Sequence, residues 1–139
     1  MILNEFIKES QKNQVISTLL KHYGVGSVKM KYKSMKDYAH FNVDKGSLEL
    51  STKYKTIKNS QIKEFLITMI HEIYHAMDAK RYGWKKFKDM YEMEMNYQIA
   101  MDKDEYKDNK YEIAAEEFGQ KNWMKWKNKF KKDGLLNGV

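Results

Sequence analysis

The hydrophobic period of this 139-residue chain changes twice, and that switching limits its fold more than any other feature. Phe6, Val15, Ile16, Leu19 and Leu20 fall at helical spacing, which predicts a first helix over residues 3–22 ending near Gly24 and Gly26. The period then drops to two. Val28, Met30 and Tyr32 alternate with Lys29, Lys31 and Lys33, the pattern of a strand with one wet face. Ala39, Phe41 and Val43 alternate next, Asp44-Lys45-Gly46 supplies a turn, and Leu48 and Leu50 resume. Residues 38–51 are therefore expected to form a β-hairpin beside the first strand.

From 60 to about 81 the helical period returns. Ile62, Phe65, Leu66, Met69, Ile70, Ile73 and Met77 build an apolar stripe, with Asn59 or Ser60 as N-cap and Gly83 as the stop. A further helix is expected over 85–101, then a polar loop over 102–109, a last helix over 110–131 and a frayed tail over 133–139. The aromatic residues Trp123, Trp126 and Phe130 fall at helical spacing and read as core. The order is an N-terminal helix, a small antiparallel β-sheet, then three helices, an α+β fold. No repeat or linker-like stretch divides it, so residues 1–139 read as a single domain.

The chain contains no cysteine, which excludes disulfides, thiol nucleophiles and cysteine-held metals. Any metal site must be built from His, Asp or Glu. The formal charge of +7 invites a nucleic-acid reading, but Arg81 is the sole arginine and the lysines are dispersed. That argues against nucleic acid as the main partner. Without a signal-like start or an apolar run of spanning length, the sequence reads as soluble and cytoplasmic.

Within the apolar stripe lies His71-Glu72-Ile73-Tyr74-His75, an HExxH motif in helical context. Positions i and i+4 share one helix face, so both imidazoles reach a single ion. Glu72 falls beside the metal instead of on it, where it can accept a proton from water and pass it to a leaving amine. A catalytic zinc takes three protein ligands and keeps one position open. The remaining histidines, His22 and His40, precede the motif; His22 reads as a helix C-terminal residue and His40 as a strand residue. No histidine follows the motif, so the third ligand is a carboxylate or, less economically, His40.

The candidate carboxylates are Glu112, Glu116, Glu117 and Asp78. Glu112 and Glu116 are four apart on one face, where Ala115 and Gly119 would let two helices approach closely. Glu117 points about 100° away, as on a solvated face. The economical assignment makes Glu112 the ligand and Glu116 an acceptor for a histidine N–H. Asp78 is a second such acceptor.

These two stretches, HEIYHAMD (71–78) and EIAAEEF (112–118), resemble the paired motifs of gluzincin peptidases. The likeness is to the group that includes the anthrax lethal factor catalytic domain and the Pro-Pro endopeptidases; the ImmA/IrrE-type peptidases share a looser version. The resemblance implies a zincin-like fold, zinc on His71, His75 and Glu112, Glu72 as general base, Glu116 beside a ligand, and a peptide or protein substrate. It also implies a tyrosine shortly before the glutamate ligand that stabilises the oxyanion: Tyr106, with Tyr111 as its rival. Tyr74 stands where such sequences usually carry glycine, and a bulky side chain there is expected to narrow the cleft floor. Two other readings use the same residues differently. One is a regulatory peptidase cleaving a specific repressor, the other a non-catalytic domain binding zinc, nucleic acid or protein.

Overall fold

In the computed structural model, which describes residues 6–136, the chain is a mixed α+β fold. Its elements are β1 (Phe6–Ile7), α1 (Glu9–His22), β2 (Lys29–Lys33), β3 (Ala39–Asn42), β4 (Ser47–Ser51), β5 (Ile57–Lys58), α2 (Ile62–Tyr82), α3 (Trp84–Ala100) and α4 (Lys110–Lys132). The first helix is shorter than its periodicity suggests, because Phe6 and Ile7 pair antiparallel with β5 before α1 begins. The expected start at Leu3 lies outside the described residues.

The hairpin forms as expected, with Ala39 opposite Leu50 and Phe41 opposite Leu48. The sheet is not wholly antiparallel, however. Its order is β2-β4-β3, and β2 runs parallel to β4, pairing Met30 with Leu48 and Tyr32 with Leu50. Alternation says which residues share a face, but not which hairpin strand the preceding strand will join. The central strand β4 is buried at all five positions, including Glu49. The edge strand β2 is exposed at all five positions where a half-buried strand was expected, although Lys12 of α1 reaches over the Tyr32 ring.

The core is organised around α2. Phe65, Leu66, Met69, Ile70 and Ile73 meet Ile16 and Leu19 of α1, Leu48 and Leu50 of β4, and Phe130 of α4 in one cluster. A turn of 3₁₀ helix, Asn59–Gln61, leads into α2, so the helix N-cap is Gln61 instead of Asn59 or Ser60. Gly83, at φ +87°, ends α2 and lets α3 begin at the next residue.

The tail is ordered as far as it is described. Leu135 N–H bonds the Phe130 carbonyl at 2.9 Å and Gly134 N–H the Lys131 carbonyl at 3.2 Å. These are the paired bonds of a Schellman cap, and Leu136 is buried beneath it. Fraying was expected there; the cap and the apolar anchor Leu136 oppose it, while residues 137–139 lie outside the described part. No helix among the described residues is long and apolar enough to cross a membrane.

Candidate metal centre

Helical spacing within α2 sends His71 and His75 to one face, and both are buried, as is Glu72 between them. The opposing wall is the first half of α4. Asn109 caps that helix, its side-chain oxygen accepting from Tyr111 N–H at 2.9 Å. Glu94 of α3 accepts from Lys110 N–H at 2.8 Å. The helix start is therefore pinned, and Glu112 projects from its first turn.

Small residues let the two helices close, as Ala115 and Gly119 suggested. A Cβ at Gly119 would stand 2.8 Å from the Ile67 carbonyl oxygen, nearer than side-chain carbons approach backbone oxygen. At that separation Glu112 Oε1 lies 2.8 Å from Nε2 of His71 and 2.8 Å from Nε2 of His75. One donor atom from each of the three residues falls within 4.8 Å of the others. This buried group can hold a metal ion.

Glu116, one turn along, stands 2.9 Å from His71 Nδ1 and takes a bond from Gln120 on its other oxygen. A carboxylate behind a ligating imidazole fixes its tautomer and ring orientation. Asp78 does not play the matching part for His75. It pairs with Arg81, 4.0 Å away and one turn further along α2. Among the described residues, buried His75 Nδ1 has no hydrogen-bond partner.

The charges are strongly coupled. Burial would depress the His71 imidazole, but Glu112, Glu72 and Glu116 outweigh it and push its pKa to about 9. Burial would raise Glu112, yet bonds with His71, His75 and Tyr91 hold it well below the ordinary carboxylate range. Glu72 is raised, because burial outweighs the attraction of His75 and His71. Its carboxylate also accepts from the backbone N–H of Phe41 on β3, at 3.3 Å. That bond ties the hairpin to the motif.

Two adjoining cavities of about 330 and 220 Å³ open over the group, sharing His71, Tyr106 and Glu116 as walls. Glu112 and Ile113 line the first; Glu72, Thr68 and His40 line the second. Tyr106 stands at the mouth, and its phenol is pushed up by partial burial and by Glu112, Glu72 and Glu116. Tyr111 is turned instead into packing, against Phe87 and Tyr91. Tyr74 packs on Phe118 in the seam between α2 and α4, with ring centroids 5.0 Å apart, and does not line the cleft. Glu117 is exposed.

One contributor escaped the sequence reading. The Tyr91 hydroxyl, from α3, donates to Glu112 Oε2. Phe87, Tyr91, Glu94 and Gln98 recur every three or four residues along α3, a stripe whose polar members hid it among ordinary surface positions. Comparison with known proteins does not place the chain: no family model, no curated protein and no solved structure matches it.

Proposed function

We propose that this chain is a zinc metallopeptidase of the gluzincin kind on a zincin-like fold, hydrolysing peptide bonds. The carrying observation is the convergence of both HExxH imidazoles on one oxygen of Glu112, with the spare acid Glu72 facing the same cleft. Two histidines and one glutamate are a donor set of catalytic zinc, and His71, His75 and Glu112 would hold it. Their donor atoms already lie within 4.8 Å of one another. Bound there, zinc supplies Lewis acidity, making a water more acidic and polarising the scissile carbonyl.

The chain's own residues supply the rest. Glu72, raised above the ordinary range by burial, takes the proton from the attacking water and returns it to the departing amine. Tyr106, at the mouth of the cleft, offers a hydroxyl donor to the oxyanion. The β3 strand is a sheet edge, and Ala39 and His40 line the cleft, so an extended peptide can add beside it through main-chain hydrogen bonds.

The test is metal content beside turnover of a peptide library. Glu72→Gln should retain zinc and lose ~10²–10⁴ in rate, the usual weight of a general base. Glu112→Ala should lose the zinc as well. Wild-type protein that takes up no zinc, or a Glu72→Gln variant that cleaves normally, would end this reading.

A further inference from the structure

The two oxygens of Glu112 have separate employers. Oε1 faces both histidine Nε2 atoms, while Oε2 receives the Tyr91 hydroxyl. A carboxylate with two free oxygens can wrap a cation with both, and a second oxygen would occupy the position that a catalytic site must leave open. A phenol bonded to one oxygen prevents that, because swinging Oε2 onto the metal would break a charge-assisted hydrogen bond. From this geometry we infer that Tyr91 is a positioning residue that holds Glu112 to one-oxygen ligation and so keeps the fourth position free. The inference rests on the metal reading above.

The surroundings make Tyr91 a rigid post. Its ring lies against Phe87 and stacks on Tyr111, with centroids 6.2 Å away in each case. Three residues further along α3, Glu94 grips the first N–H of α4 and is itself held by Gln98 at 3.0 Å. One stripe of α3 thus fixes both the helix that carries Glu112 and the rotation of its carboxylate. The arrangement accounts for a helix that buries only Phe87 and Gln98 and would otherwise contribute little to the core.

The experiment substitutes cobalt for zinc in wild type, Tyr91→Phe and the neighbouring control Tyr111→Phe, and records the visible spectrum and the zinc dissociation constant. Phenylalanine keeps the ring and its packing, so the fold should persist, and far-ultraviolet circular dichroism checks it. In Tyr91→Phe the freed oxygen should join the metal in place of the fourth ligand or beside it, and the cobalt bands should change in position and intensity. Zinc affinity should fall about 10- to 100-fold, as when a ligand's supporting partner is lost. Tyr111→Phe should match wild type in both. The spectrum decides. A Tyr91→Phe spectrum identical to wild type overturns the inference whatever the affinity does, leaving the metal centre standing. Wild-type protein that binds neither zinc nor cobalt overturns the centre and this inference together.

Discussion

The two halves of α4 do opposite work against the rest of the molecule. The first, residues 110–120, buries Glu112 and presses Ala115 and Gly119 against α2. The second, residues 121–132, buries Trp126 and Phe130 and carries lysines at 121, 125, 127, 129, 131 and 132. Burying a carboxylate is costly unless it is paired and both its oxygens are hydrogen-bonded. Here two histidines and a tyrosine engage them. Burying two aromatic rings is favourable outright, and lysines near a helix C-terminus meet the negative end of its dipole. The helix is anchored by apolar packing at one end and carries the buried His71–His75–Glu112 group's carboxylate at the other.

Substitutions in the anchoring half should therefore cost stability without altering the site. Phe130→Ala removes a fully buried ring that stacks on Trp126 and should lower unfolding free energy by ~3–5 kcal/mol. Its zinc stoichiometry, measured below the new melting temperature, should equal wild type. Loss of metal from a still-folded variant would show that the halves are not independent. Gly119→Ala probes the boundary between them. The added methyl meets backbone at Ile67, which cannot swing aside, so α2 and α4 must part. A cost of ~1–3 kcal/mol is expected from overpacking. Because Glu112 rides on the same helix face, zinc affinity should drop as well. Chemical denaturation and chelator competition on one sample would read both, and a variant with neither change would refute the close-approach argument.

The same contrast explains what could be read before the structure. That His71 and His75 share one helix face, and Glu112 and Glu116 another, was legible because i, i+4 spacing is a local property that survives folding. So was the aromatic stripe of the second half. What escaped depends on which element meets which. Val28, Met30 and Tyr32 alternate as a half-buried strand should, yet β2 hangs on the outer edge of β4 with Met30 and Tyr32 about 40% exposed. The pairing of Phe6–Ile7 with β5 is two residues long, too short to impose a period on the sequence. Asp78 lies 4.0 Å from Arg81, three places along the same helix, a local neighbour that spacing alone also offered. Tyr91 reaches Glu112 from a third helix, at no fixed distance in sequence from either motif.

The smallest effect, and the most diagnostic of the first half, is a pH dependence that should differ with and without metal. In the metal-free protein the pKa of His71 stands at about 9, against an ordinary 6.5, because Glu112, Glu72 and Glu116 outweigh its burial. A histidine whose pKa is raised by folding lends stability in full below its unfolded value, and that contribution fades as pH climbs to the folded one. Metal-free protein should therefore lose stability between pH 6.5 and about 9. Under the zinc reading that loss is absent from loaded protein, whose stability levels off over the same interval, since a ligating imidazole nitrogen cannot keep its proton and zinc must displace it. The gap in melting temperature between zinc-loaded and chelator-treated samples should widen steadily across that interval. Phe130→Ala should lower both curves and leave the widening intact, because its ring packs on Trp126 within the apolar cluster. A gap that stays flat or narrows would mean that His71 does not exchange a proton for the metal, and the division of labour along α4 would lose its chemical half.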